Sequence, residues 1–172
     1  MQLLQCIRPA DAGGESFLVD SRQAALYLRE RDPEAFRILT TVPVKFHRKQ
    51  KAFESIQVVP LIQLDAIGAI KEIRHSYFTL APFHLPFSQM RAFYRAYQAF
   101  SAILHDRRNQ FFYQLQSGDF VLYDNYRMLH ARTGFSGPRH VRGVYFNHND
   151  VWRKLDASAG GPAVTPTPEQ LI

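Results

Sequence analysis

A chain of 172 residues is long enough for one domain with a real core. With 46% hydrophobic and 21% charged residues it has a globular composition, and no run approaches the roughly 20 apolar residues of a membrane helix. The formal charge of +6 raises a nucleic-acid partner, but the Lys and Arg residues are scattered and form no stripe or recognised module, so none is expected.

The short apolar start, Met1 to Ile7, has no basic stretch before it and no small-residue cleavage site after it. It is not expected to be a signal peptide, which leaves the cytoplasm as the default compartment. The single cysteine, Cys6, excludes an internal disulfide and reads as a buried strand thiol.

Taken in order, Gln2 to Ile7 reads as a buried strand, Asp11 to Gly14 as a turn and Glu15 to Val19 as a second strand. Ser21 is expected to cap a helix carrying Ala24, Ala25 and Leu28 at helical spacing. Asp32-Pro33-Glu34 is a helix start by type: a capping carboxylate, a proline in the first turn and an acidic residue beside it. That helix should end near Thr40, ahead of Pro43. Val44 to Arg48 and Ser55 to Leu64 read as strands, with the basic run His47 to Lys51 as a solvated loop tip. Ile67-Gly68 signals a turn and Ala69 to Ser76 another strand.

Pro86 opens the longest helix, whose Met90, Phe93, Tyr94, Tyr97, Phe100 and Leu104 follow the spacing of one face and read as core. Gln110 to Leu115 and Phe120 to Tyr123 flank Ser117-Gly118-Asp119, which predicts a hairpin turn. His140 to Asn147 is the last expected strand and Asp150 to Leu155 a closing helix. The Ala/Gly/Pro/Thr-rich tail, 157–172, lacks apolar periodicity and is expected to be disordered, leaving residues 1–156 as the ordered domain. Many short strands with a few helices between them predict an α+β, mainly β fold. The expected form is a partial double-stranded β-helix, or jelly roll, with helices packed on one sheet.

The chemistry is concentrated near the end. An apolar strand runs through Asp124-Asn125 into His130, and Arg139 follows nine positions later, before a strand with Gly143 and Tyr145. A His and an Arg on successive strands can open into one barrel mouth, as a metal ligand beside a guanidinium that forks onto a carboxylate. By itself this is a weak signal, since a lone His is more often a hydrogen-bonded core residue.

The segment from Asp124 to Arg132 resembles the stretch around the distal iron-binding histidine of the γ-butyrobetaine hydroxylase and trimethyllysine dioxygenase group, within the taurine dioxygenase-like (TauD/TfdA-like) family. Arg139-His140 with Gly143 and Tyr145, the Gly13-Gly14 turn with its following strand, and Pro33 to Thr40 with Pro43-Val44 match that group in the same order. The resemblance implies an Fe(II)- and 2-oxoglutarate-dependent dioxygenase that uses O₂ to hydroxylate a small quaternary-ammonium substrate. It implies His130 as the distal ligand of a two-His-one-carboxylate triad, whose open positions on Fe(II) admit co-substrate and O₂. Arg139 would hold the far carboxylate of 2-oxoglutarate and Leu4 would line the co-substrate pocket. Tyr145 would belong to an aromatic cage, because a ring face attracts a cation that cannot hydrogen-bond; a plain core aromatic is an equal reading of it.

The match also has gaps. The family's His-x-Asp or His-x-Glu pair precedes the strand matched by Gln2 to Ile7 and has no counterpart here, so this chain is expected to be the C-terminal part of the catalytic domain and inactive alone. His148-Asn149-Asp150 has the spacing but not the place, and a helix cap is the plainer reading. Gln5 stands where relatives carry a His, and the substrate-contacting Asn pair falls near Ser76-Tyr77. His75 and His84 could face the pocket, but surface or loop residues are the plainer reading. The alternative is a non-catalytic β-sandwich, a pseudoenzyme or partner subunit. Sheet edges left unpaired by the absent strands would favour pairing with a second copy as a homodimer.

Overall fold

The computed structural model describes residues 1–51 and 53–146. The expected closing helix, the His148-Asn149-Asp150 triplet and the tail lie outside the described residues. In chain order the elements are β1 (Gln2–Arg8), β2 (Ala12–Gly13), β3 (Ser16–Asp20), α1 (Ser21–Arg31), α2 (Pro33–Thr41), β4 (Pro43–Gln50), β5 (Phe53–Pro60), β6 (Ile62–Leu64) and β7 (Ile70–Ile73). There follow α3 (Phe87–His105), a 3₁₀ turn (Arg107–Asn109), β8 (Gln110–Tyr113), β9 (Phe120–Tyr123), β10 (Met128–Arg132), β11 (Phe135–Ser136) and β12 (His140–Tyr145). They form two compact units: Met1–Leu18 with the segment from Phe111 onward, and Val19–Gln110.

The unit spanning Val19–Gln110 is the helical one. Asp20, not Ser21, caps α1: its carboxylate accepts the Gln23 N–H at 3.1 Å, while Ser21 is the first helical residue and is fully buried. Asp32 serves two helices. Its N–H closes α1 on the Leu28 carbonyl, and its carboxylate accepts the Ala35 N–H at 2.9 Å to open α2. α2 stops where Val42 turns extended ahead of Pro43.

On α3 the buried face is Phe93, Ala96, Tyr97, Phe100 and Leu104; Tyr94 is exposed, so the stripe is narrower than the spacing suggested. α3 packs on α1 and α2, α2 rests on β5 and β6, and α1 on β7. The expected strand Ser55 to Leu64 is two strands, broken at the fully buried Leu61. The basic run His47 to Lys51 is mostly the end of the exposed β4–β5 ribbon, not a loop tip.

The other unit is built of strands in the orders β12-β1-β9, β10-β3-β8 and β11-β2. β1 is the central strand of its sheet, and its thiol Cys6 is buried, as read from the sequence. The hairpin expected at Ser117-Gly118-Asp119 does not form. β8 pairs with β3 and β9 with β1, so the turn carries the chain from one sheet to another. It is clipped to the end of β1 instead: the Cys6 N–H donates to the Asp119 carbonyl at 2.8 Å, Gly118 N–H to the Cys6 carbonyl at 2.9 Å, and the Ser117 hydroxyl to the Ile7 carbonyl at 2.8 Å. Gly118 adopts φ +92°, a conformation open to glycine at little cost. Among the described residues no helix is long and apolar enough to cross a membrane.

Candidate active site

His130 lies in the middle of β10. A tight turn places it there: the Tyr126 N–H donates to the Asp124 carboxylate at 2.9 Å, and the Met128 N–H to the Asp124 carbonyl at 2.7 Å. That Asp-initiated turn takes the chain from β9 to β10 and sets the imidazole against the ring of Tyr123, with centroids 5.2 Å apart and planes at 47°. The histidine keeps an exposed edge, yet the protein packed around the ring disfavours the imidazolium and lowers its pKa from the usual 6.5. A neutral imidazole is the form that binds a metal.

Arg139 stands one residue before β12 rather than on it. Pairing of Phe135–Ser136 with Ala12–Gly13 fixes the preceding segment, helped by the Gly14 N–H donated to the Gly134 carbonyl at 3.0 Å. The Arg139 guanidinium lies 5.8 Å from the centroid of Phe135, whose ring also carries Arg132 at 4.4 Å. Arg139 is half-buried and, among the described residues, forms no ion pair.

Leu4 sits opposite Gly143 on one side and Val121 on the other. Its Cδ2 occupies the space over Gly143, 3.2 Å from where a Cβ would be. Tyr145 ends β12, half-open to solvent, opposite Gln2. Residues paired across an antiparallel sheet share a face, so Gln2, Leu4, Tyr123 and Tyr145 project together. Tyr123 is thus the hinge of the arrangement, joined to this face by register and to His130 by ring contact. Burial raises its pKa strongly, and the neighbouring phenols Tyr113 and Tyr145 raise it further. Tyr113 in turn is raised by burial and pulled back by a hydrogen bond with Ser16 and by the charge of Arg139. Tyr123 thus lies against His130, and Tyr113 is within electrostatic reach of both Tyr123 and Arg139.

Tyr123, Tyr113 and Gln2 were not singled out from the sequence. Gln2 and Tyr123 are 4% and 5% exposed, and neither the Gln2 Oε1 nor the Tyr123 hydroxyl has a hydrogen-bond partner among the described residues. Nothing in the local sequence marks this, because it follows from register and sheet packing. His75, read as a surface or loop residue, is half-buried in the other unit, stacked on Tyr97 with its Nε2 2.9 Å from the Ser101 hydroxyl.

Residues 1–145 match the model of the taurine catabolism dioxygenase TauD, TfdA family, and the chain belongs to that family. It is 34% identical to the γ-butyrobetaine dioxygenase of Pseudomonas sp. (strain AK-1) over 158 residues, 90% of this chain and 41% of that protein. It is 33% identical to the trimethyllysine dioxygenase of Meyerozyma guilliermondii over 162 residues, 91% of this chain and 40% of that protein. The chain therefore spans about two fifths of the length of these relatives.

Among solved structures, AAD-2 in complex with Mn(II) and N-oxalylglycine matches with a TM-score of 0.58 at 15% identity, covering 83% of this chain and 60% of that one. An asparagine oxygenase in complex with Fe(II), 2S,3S-3-hydroxyasparagine and succinate matches with a TM-score of 0.58 at 16% identity, covering 83% and 43%. The fold is the α+β, jelly-roll-like fold expected from the sequence, and the family is one of Fe(II)- and 2-oxoglutarate-dependent dioxygenases.

The described residues do not fit an iron ion by themselves: among them no group of three or more His, Cys, Asp or Glu side chains could hold a metal. One side chain has the chemistry for a carboxylate: the half-buried Arg139 guanidinium, which forms no ion pair among the described residues, offers an anion its charge and its fork of donors.

Proposed function

We propose that this chain supplies the co-substrate side of an Fe(II)/2-oxoglutarate dioxygenase site that hydroxylates a small quaternary-ammonium molecule of the γ-butyrobetaine kind. His130 is one iron ligand. Arg139 pairs with the far carboxylate of 2-oxoglutarate, Leu4 walls the same pocket, and Tyr145 offers an aromatic face to the trimethylammonium group. Bound Fe(II) would supply the O₂ chemistry; the protein binds and orients. The observation that carries the reading is the half-buried Arg139, which forms no ion pair among the described residues. The names of the two curated relatives support the substrate class.

A second reading has its own support. With one metal ligand among the described residues, the chain alone does not turn over 2-oxoglutarate and acts as a binding module or partner subunit. Among the described residues β9 and β12 are the outer strands of their sheet, which suits pairing with a second copy as a homodimer.

Measuring 2-oxoglutarate binding alongside succinate release, with γ-butyrobetaine and Fe(II) present, tests both readings. Binding that Arg139→Lys weakens by about tenfold supports the site, because a lysine cannot reproduce the two parallel hydrogen bonds. Release of succinate by the chain alone would reject the second reading. Binding of 2-oxoglutarate that ignores the Arg139 substitution would reject the first.

A further inference from the structure

A buried polar group without a partner is costly, and native proteins carry few of them. The strand unit holds two side by side. Gln2 and Tyr123 are opposite each other in the β1–β9 register, both more than nine-tenths buried, and among the described residues neither the Gln2 Oε1 nor the Tyr123 hydroxyl has a partner. They share a face with Leu4 and Tyr145, and the Tyr123 ring rests against His130. Phenylalanine would pack in place of Tyr123 without the desolvation cost of the hydroxyl, so local stability does not explain the tyrosine.

We infer that Tyr123 and Gln2 form a second anchoring point for 2-oxoglutarate: the ligand offers only acceptors, so the phenol O–H donates to a ligand oxygen, and the Gln2 amide turns so that its Nε2, not Oε1, donates to the same molecule. This rests on the proposed co-substrate site and adds to it a polar contact on β9 that the sequence resemblance does not contain. A hydroxyl that stays unpaired in the free protein and becomes paired on binding favours the bound state twice over. The hydrogen bond is gained and the orphaned donor is removed. An internal water bridging the two groups is the competing occupant.

Ligand-observed NMR titration of the metal-free full chain with 2-oxoglutarate, combined with thermal unfolding of the free protein, separates these. Tyr123→Phe is expected to weaken binding by about tenfold or more while the free variant melts at or above the wild type. A purely structural tyrosine would instead lower the melt and leave affinity alone. Gln2→Glu keeps the shape but sets a carboxylate in the ligand's place, and is expected to abolish binding even if the phenylalanine variant folds poorly. If the wild type binds and both variants bind equally well, the two groups face a water and the inference fails while the Arg139 site stands. A wild type that binds no 2-oxoglutarate overturns the site and this inference together.

Discussion

Lowering the pH should unfold the helical unit earlier than its surface charges require, because of His75. Its ring stacks on Tyr97 at 5.0 Å with planes 7° apart, meets Phe100 and Tyr77 edge-on, and has His105 at 6.4 Å. Burial first, then the charge of His105, lowers its pKa from 6.5 to about 4. The unfolded chain therefore takes up a proton near pH 6.5 and the folded chain only near pH 4. Stability from this group is complete above the unfolded value and is lost as the pH falls through that window. The separation of the two values corresponds to about 3 kcal/mol in total, of which about 2 kcal/mol is lost between pH 7 and pH 5.

The assay is urea unfolding followed by helical circular dichroism at pH 7 and pH 5, on the wild type and on His75→Phe, which keeps an aromatic ring in the stack. The variant should start less stable, having lost the Ser101 contact, but should lose about 2 kcal/mol less between the two pH values. His130, whose pKa is also lowered by burial, contributes equally to both proteins and cancels in the comparison. Equal losses for the two proteins would show that His75 titrates normally and that the packing argument is wrong.

Three further outcomes are expected from the packing. Phe100→Ala removes a fully buried ring from the α3 face and should cost about 3–5 kcal/mol in denaturant unfolding; a cost under 1 kcal/mol would mean the helix face is not the core. Asp32→Ala strips the α2 cap and should cost about 1 kcal/mol, whereas Asp32→Asn, which keeps an acceptor, should cost little by the same measurement. Gly13→Ala puts a side chain at φ +70° and into the Gly134 carbonyl, so it should destabilise the β2–β11 pairing by about 1–3 kcal/mol. Because that pairing leads into Arg139, the same variant should weaken 2-oxoglutarate binding, read by the titration used for Tyr123.

Where the sequence was legible, the cause was local. Asp32-Pro33 announces a helix start because a carboxylate two or three residues from free N–H groups will accept one wherever the chain goes next. Phe93, Tyr97, Phe100 and Leu104 were readable as a core face because 3.6 residues per turn aligns them before any partner is known. The Ser21 cap failed by one position for an equally local reason: Asp20 is the stronger acceptor and lies adjacent. His130 and Arg139 stood out as chemistry-bearing types nine residues apart, and the family resemblance gave them roles.

The hairpin at Ser117-Gly118-Asp119 shows the limit. Its residues make a turn as read, but which strands flank it as partners depends on β1 and β3, more than ninety residues earlier in the chain. Turn type is decided by a few dihedral angles, whereas strand pairing is decided by a competition among distant segments for the same hydrogen bonds. The sequence by itself therefore settled the helix starts, the apolar faces and the residue types able to bind a metal or a carboxylate. Only the tertiary structure decided that Tyr123 lies against His130 and opposite Gln2, that two polar atoms there have no partner among the described residues, and that His75 is stacked inside an aromatic cluster. Burial and register are properties of the assembled sheets and helices, and no window of neighbouring residues contains them.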